Sequence, residues 1–282
     1  MPERLCDLRR HIGNSVTTED VVTASQIGRL AAALDVDHPA PDEGDAIPPA
    51  WHGAFFPPLV KVSGLREDGQ PAGDGVTPPV PLERRTLTGV SATFHSPIRI
   101  GDRLTKVTEI ADIIVDEDAV DPNVLVIVRD NISSSRGLAV VEERKLFFFG
   151  EDGPGAAPVL PIVPELAAWY RTYESNPAMI FRLSAVRYNT HRVHYDREYT
   201  TKVEGLPGLV VPLTLVSALM LELCRTNVPE QRIGSFSYQS VKRVFDLGPF
   251  TVYGDIDGSK ATLWATDYEG SLAVIAEAGL TD

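Results

Sequence analysis

The sequence predicts an α+β fold in which one helix and a set of antiparallel strands occur twice along the chain. A helical apolar pattern at residues 21–34 is followed by several β-branched and aromatic runs. A Gly- and Pro-rich stretch divides the chain at residues 151–163, and a second apolar helix with its own strands follows it. With 282 residues, the chain can bury one large core or two smaller ones.

The first half begins with the predicted helix. The polar segment 14–20 has acidic residues near its end and predicts the helix start, and residues 21–34 carry apolar side chains at helical spacing. Residues 39–82 are rich in Pro and Gly, which predicts long ordered loops, and loops of this length are often functional. Strands are predicted at residues 87–94, 98–102, 104–115, 124–132 and 138–149.

The second half repeats this order. Residues 181–189 predict a strand, and residues 213–225 are apolar on almost every face, which predicts a buried helix wrapped by a sheet. Further strands are predicted at residues 233–244, 250–256, 260–266 and 271–278. One buried helix cradled by an antiparallel sheet is the hotdog arrangement, so the chain is predicted to be a double hotdog. The predicted boundaries are residues 1–150, a linker at 151–163, and residues 164–282.

The bulk composition excludes several classes of protein. A net charge of −13 argues against nucleic-acid binding, which needs a concentrated basic surface, and mildly against anionic membranes. No apolar run reaches the length of about eighteen residues that a membrane-spanning helix needs, and the first residues lack the apolar core of a signal peptide. Two cysteines, Cys6 and Cys224, are too few for a disulfide framework or a zinc cluster. We therefore expect a cytoplasmic protein with no metal site.

The segment richest in chemical groups is residues 188–196, which read Tyr-Asn-Thr-His-Arg-Val-His-Tyr-Asp. His191 and His194 lie three residues apart in it, between the amide of Asn189 and the carboxylate of Asp196. Such a density of titratable groups beside a helical segment indicates a site of proton transfer. An isolated histidine pair of this spacing would also suit a packed structural loop.

The same segment resembles the hydratase motif of the MaoC-like (R)-specific enoyl-thioester hydratases and β-hydroxyacyl-thioester dehydratases. It is similar above all to the branch of mesaconyl-C4-CoA hydratases and mitochondrial-type dehydratases. The resemblance rests on residues 181–185, 189–196 and 204–211, and in the first half on residues 47–58, 81–85 and 94–102. It implies the double hotdog fold, and an enzyme that adds or removes water across an α,β-unsaturated acyl thioester of CoA or a carrier protein.

The resemblance also assigns roles within the motif. No cofactor is expected, because the sequence has no glycine-rich phosphate loop or dinucleotide fingerprint. His194 occupies the position of the family's catalytic histidine, and an imidazole is a suitable base near pH 7. Asn189 would orient a water molecule through its amide, or alternatively cap a short helix that begins near Thr190. His191 would either position Asn189 or pack against the loop. The first half has no copy of this motif, so it is expected to be non-catalytic and to supply a wall of the acyl pocket.

Charged residues are expected to support the site. Arg192 would face outward or pair with Asp196, with a phosphate contact as the alternative, and Asp196 would support the site or cap a helix. CoA and acyl-carrier thioesters are anionic, so binding them would need a local basic cluster. The candidates are two adjacent pairs, Arg84 with Arg85 and Lys242 with Arg243. Scattered surface charge is the alternative interpretation of each pair.

The residues before the second helix are predicted to bind the thioester. The resemblance places Gly208, Val211, Leu213 and Thr214 beside the substrate, with a backbone N–H of the first helical turn pointing at the thioester oxygen. The family usually has His-Gly where this chain has Pro212 and Leu213. Proline has no N–H to donate, whereas Leu213 keeps its N–H and adds a side chain that narrows the site.

This difference leaves alternatives open beside a hydratase or dehydratase. The same scaffold could serve an isomerase or lyase with altered chemistry, or a non-catalytic thioester-binding subunit that needs a partner chain. Retention of His194 and Asn189 argues against the non-catalytic subunit. A homodimer is compatible with each of these interpretations.

Overall fold

The computed structural model describes residues 4–37, 41–82, 84–117, 121–150 and 166–281. The predicted linker at residues 151–163 lies outside them. The helices are α1 (Ala24–Leu34), α2 (Pro177–Val186), α3 (Arg197–Lys202) and α4 (Leu213–Asn227). The strands are β1 (Ser15–Val21), β2 (Arg84–Phe94), β3 (Arg103–Asp116), β4 (Asn123–Ser134), β5 (Gly137–Phe149), β6 (Trp169–Tyr173), β7 (Arg232–Ser240), β8 (Phe250–Asp257), β9 (Lys260–Thr266) and β10 (Leu272–Thr281).

These strands form one sheet that runs through both halves. Within the described residues, the strand order is β1-β3-β4-β5-β2-β7-β10-β9-β8-β6, and each recorded pairing is antiparallel. β2 and β7 join the two halves, with residues 89–93 opposite residues 235–239. The hydrophobic core follows the same path, since one cluster of buried side chains includes residues of α1 and of α4.

The helix of the first half begins later than predicted. Thr23 caps α1, because its hydroxyl accepts the N–H of Gln26 at 3.2 Å, and the buried residues of the helix include Ile27 and Leu34. The segment predicted as the helix start is instead strand β1, which pairs with β3 along its whole length. Its Val and Thr residues favour an extended backbone, and this local preference outweighs the acidic residues that suggested a helix start.

The strand predicted at residues 98–102 is also wrong. These residues form a turn between β2 and β3, with Gly101 at a φ of +91° and one isolated bridge between Ala46 and Arg99. A positive φ suits glycine because it has no Cβ to clash with the backbone. Ile98 and Ile100 are buried, which explains why the segment resembles a strand in sequence.

Residues 181–189 contain the end of helix α2 rather than the predicted strand. Asn176 caps this helix by accepting the N–H of Met179 at 2.9 Å, and Pro177 occupies the first turn. Ile180 and Leu183 are buried on one side of the helix. The apolar run therefore follows helical periodicity, and the Asn-Pro pair before it is the signal that indicates the helix start.

The second predicted helix is confirmed. α4 contacts β6, β7, β8, β9 and β10, and nine of its fifteen residues are buried, among them Leu215, Leu219 and Met220. The arrangement of a buried helix inside an antiparallel sheet confirms the predicted double hotdog class. The N-terminus of α4 lies beside the motif at residues 188–196, so the fold brings the two parts of the candidate site together.

Candidate active site

His194 is a buried, neutral imidazole with a defined tautomer. It ends a short 3₁₀ helix, Arg192–His194, and its side chain lines a cleft. Its Nδ1 is 2.8 Å from the carbonyl oxygen of Val210, which can only accept a hydrogen bond, so Nδ1 carries the proton and Nε2 is the basic nitrogen. Burial lowers the pKa of His194 below its ordinary value, so the ring is uncharged at pH 7.

Asn189 and His191 form the wall next to His194. Asn189 lines the cleft, and its Oδ1 atom accepts the N–H of His191 at 3.1 Å, which closes an Asx-turn. No acceptor of its NH2 group is recorded among the described residues. The ring of His191 meets that of His194 edge-on, with 5.4 Å between the ring centroids. Burial, together with the nearby His194, lowers the pKa of His191 to about 4, so this second ring is also neutral near pH 7.

The N-terminus of α4 supplies backbone donors to the same cleft. Leu213 is the first residue of the helix, with Pro212 as its N-cap, and both Leu213 and Thr214 line the cleft. First-turn N–H groups have no intrahelical acceptor, and the described residues provide no recorded backbone acceptor for these two. The N–H of Val211, in contrast, donates to the carbonyl oxygen of Val244 at 2.8 Å. Leu213 and Thr214 are thus the available donors, at the positive end of the helix dipole.

The cleft is large enough for an acyl thioester and is rich in positive charge. Its volume is about 620 Å³. Although the whole chain has a net charge of −13, the part of the cleft lining that the structure describes contains six cationic side chains and two carboxylates, Asp68 and Glu204. Both basic pairs predicted from the sequence are among the six: Arg66, Arg84, Arg85, Arg144, Lys242 and Arg243.

One loop of the first half is attached directly to the motif. The carbonyl oxygen of Asp68 accepts the N–H of Arg192 at 2.8 Å, and that of Gly69 accepts the hydroxyl of Thr190 at 2.5 Å. Gly69 has a φ of +82°, and a Cβ atom placed on it would lie 2.0 Å from the carbonyl oxygen of Thr190. The close contact therefore requires glycine at this position.

Several cleft residues were missed by sequence analysis. Asp68, Gln70 and Arg144 belong to the first half and line the cleft together with the predicted residues. The Asp-Gly pair at 68–69, inside a Pro- and Gly-rich stretch, is the signal that could have identified the loop. No comparable signal indicates Arg144, which is one of several charged residues in β5.

Three predicted residues lie outside the cleft lining that the structure describes. Arg192 pairs with Asp196 at 2.8 Å, and Asp196 also caps α3 by accepting the N–H of Tyr199 at 3.0 Å. The pairing of Arg192 and the capping role of Asp196 are among the alternatives predicted from the sequence. Gly208 does not reach the cleft in the described part of the chain. A Cβ atom on it would lie 2.7 Å from Asp246, whose carboxylate accepts the N–H of Leu209, so Gly208 allows this segment to pack closely.

No group of three or more His, Cys, Asp or Glu side chains in the described residues is arranged to hold a metal ion. None of the helices in the described ranges is long and apolar enough to cross a membrane.

Comparison with known proteins identifies the family. The family model of hydroxyacyl-thioester dehydratase type 2 matches residues 50–246. Mesaconyl-C4-CoA hydratase of Chloroflexus aurantiacus is 34% identical over 266 residues, which cover 94% of this chain and 95% of the relative. The mitochondrial hydroxyacyl-thioester dehydratase type 2 of Schizosaccharomyces pombe is 24% identical, with 84% of this chain and 89% of the relative covered.

Solved structures show the same fold at lower sequence identity. A MaoC-like dehydratase of Phytophthora capsici matches with a TM-score of 0.73 at 14% identity, with 99% of both chains covered. A Mycobacterium tuberculosis protein described as having a double hotdog fold matches with a TM-score of 0.58 at 12% identity, with 98% of both chains covered. Since the family model spans more than half of the sequence, the chain belongs to the hydroxyacyl-thioester dehydratase type 2 family and is a hydro-lyase of acyl thioesters.

Proposed function

We propose that His194 performs both proton transfers when this enzyme adds water to an α,β-unsaturated acyl thioester or removes it from a 3-hydroxyacyl thioester. The observation that carries the proposal is the hydrogen bond from Nδ1 of His194 to Val210, because it leaves Nε2 as the base in a cleft of suitable size. Asn189 is the only other predicted catalytic residue, and its amide cannot exchange a proton at neutral pH. It can hold the water molecule through its NH2 group.

The hydration step follows from these positions. Nε2 of His194 takes a proton from water while the water oxygen forms a bond to the β-carbon of the double bond. The electron pair of the double bond moves towards the thioester oxygen, where the N–H groups of Leu213 and Thr214 stabilise the developing negative charge. The imidazolium of His194 then returns its proton to the α-carbon. Dehydration is the reverse sequence.

We propose a CoA thioester as the substrate form. Support comes from the relative named mesaconyl-C4-CoA hydratase and from the basic cleft lining. Arg84 and Arg243 are exposed at the cleft, so they can contact the phosphates of CoA without losing hydration. The side chain of Leu213 occupies space that glycine leaves open in other family members, and we propose that it restricts the acyl group.

The proposed function is tested with the purified chain and enoyl-CoA substrates. We expect loss of the enoyl absorbance with at least one member of a panel of short, branched and dicarboxylic enoyl-CoA thioesters. Absence of turnover with the whole panel would contradict a hydratase and favour the isomerase, lyase or binding-subunit alternatives.

Both halves of the described chain contribute residues to the cleft lining. We therefore propose that activity does not depend on a partner, whether or not the expected homodimer forms. Light scattering during size exclusion tests the homodimer, and cell fractionation tests the cytoplasmic location.

A further inference from the structure

Arg85 is a cation of the cleft lining for which the described residues record no ion pair. In β2 the Arg85 side chain is half-buried and shares a face of the sheet with Leu87, which packs against a buried cluster that includes Leu146. Its Nη2 donates to the neutral amide oxygen of Gln70 at 2.7 Å. Among the residues that the structure describes, no carboxylate forms a recorded ion pair with Arg85.

The carboxylates near Arg85 are engaged by other groups. Asp68 attracts Arg85 but pairs with Arg66 at 2.8 Å, and Arg144 pairs with Asp130 at 3.0 Å. Both cations of these pairs repel Arg85. The bond to Gln70 is thus the recorded side-chain hydrogen bond of Arg85 within the described residues, and its other N–H groups can donate to an anion that enters the cleft.

Asp74 has no recorded hydrogen bond or ion pair with Arg85 among the described residues. It attracts Arg85, but one of its carboxylate oxygens accepts the N–H groups of Val76 and Thr77, at 3.1 and 2.7 Å, and the other accepts the Thr77 hydroxyl at 2.6 Å. Burial, followed by repulsion from Arg66, lowers the pKa of the Arg85 guanidinium. An anionic ligand would offset both effects.

Hydrogen bonds connect Arg85 to the catalytic motif. Gln70, which accepts from Arg85, donates its Nε2 to the Asp68 carboxylate at 3.3 Å. The backbone of Asp68 in turn accepts the N–H of Arg192 at 2.8 Å, next to His191. Arg85 thus belongs to the wall of the cleft that continues into the motif.

We propose that Arg85, oriented by Gln70, binds a carboxylate on the acyl group and makes the enzyme prefer monothioesters of unsaturated dicarboxylic acids. The inference rests on the proposed function of the cleft. An acyl carboxylate is favoured over a CoA phosphate because the neighbours of Arg85 on the buried face are the apolar pair Leu87 and Leu146, which also line the cleft. Arg84, on the opposite face of the strand, is exposed and suits a phosphate.

The test compares two substrates that differ only at the distal carbon, fumaryl-CoA with a carboxylate and crotonyl-CoA with a methyl group. We expect Arg85→Gln to lower kcat/KM for fumaryl-CoA at least about tenfold, the scale of a lost charge-assisted hydrogen bond, and to change that for crotonyl-CoA less than about twofold. Arg85→Lys should restore part of the loss, because it keeps the charge without the planar fork of donors.

Two further variants show whether Arg85 binds the acyl carboxylate or a CoA phosphate. Arg84→Gln should raise KM equally for both substrates, since both carry the same CoA phosphates. Arg103 of β3 is exposed and pairs with Glu19, so Arg103→Gln should change KM for neither substrate. An equal loss on both substrates in Arg85→Gln would overturn the proposal in favour of a phosphate contact.

A measurement on the unaltered enzyme covers the case in which Arg85→Gln fails to fold. Succinyl-CoA and butyryl-CoA have no double bond to hydrate, so they act as competitive inhibitors of crotonyl-CoA hydration. We expect succinyl-CoA to inhibit at least about tenfold more tightly. Equal inhibition would overturn the carboxylate site while leaving hydration intact, whereas no turnover of any enoyl-CoA would instead contradict the proposed function.

Discussion

At His194, one backbone carbonyl determines which ring nitrogen is available for chemistry. Because Val210 accepts from Nδ1, the neutral ring presents Nε2 as its base, and burial keeps it neutral near pH 7. The sequence motif identified this histidine but could not indicate its tautomer, which depends on a residue sixteen positions away. The same limit applies to Asn189, whose oxygen is occupied by a local turn.

Leu213 is predicted to restrict the acyl group. Leu213→Gly removes the side chain that narrows the cleft but keeps the backbone N–H, so we expect kcat/KM for branched enoyl-CoA substrates to rise relative to crotonyl-CoA. Relief of crowding and the added backbone freedom of glycine should partly offset each other in the free energy of unfolding. Turnover that appears only in the glycine variant would show that the native chemistry is not hydration.

His191 is predicted to make stability depend on pH. Its pKa is about 4 in the folded protein and about 6.5 when unfolded, so between these values the unfolded chain binds more protons. The free energy of unfolding should therefore decrease as the pH falls from 6.5 to 4. Between pH 7 and pH 5, denaturant titration should show a loss about 2 kcal/mol larger for wild type than for His191→Gln. Equal losses would contradict the buried, neutral state of His191.

The loop at residues 66–70 is the element that brings the first half to the motif. We expect Gly69→Ala to lower kcat/KM at least about tenfold, because its new methyl group meets the carbonyl oxygen of Thr190 and displaces the loop. Gly75→Ala is the matched control, since Gly75 has the same φ of +82° but nothing within 4 Å of its Cβ position. Both variants carry backbone strain of about 1 kcal/mol. Similar kinetics for the two would show that the contact at Thr190 does not position the site.

Elements were predictable where local pattern and tertiary environment agree. The all-apolar run of α4 and the β-branched strands β4 and β5 have one stable arrangement each, and their prediction held. α2 was mistaken for a strand because its apolar residues also suit one, and the decision rests on the cap at Asn176. Contacts of the loop at 66–70 join residues more than 120 positions apart, and no local pattern encodes them.

At the scale of the whole molecule, the two halves share one sheet and one core. The β2–β7 pairing joins the two halves of the sheet, and the indole N–H of Trp51 donates to the buried carboxylate of Glu222 in α4 at 3.1 Å. The sequence resemblance predicted a non-catalytic first half that supplies a wall of the acyl pocket. In the structure, the first half contributes the cations Arg66, Arg85 and Arg144 to the cleft lining.

The central claim is that His194 carries out proton transfer in an otherwise intact cleft. The most direct test is turnover of an accepted enoyl-CoA by wild type and His194→Ala, with folding checked by circular dichroism and denaturant titration. We predict a decrease in kcat of about a hundredfold or more, the usual scale for a lost acid–base group, with little change in the free energy of unfolding. A folded His194→Ala enzyme with wild-type turnover would contradict the account.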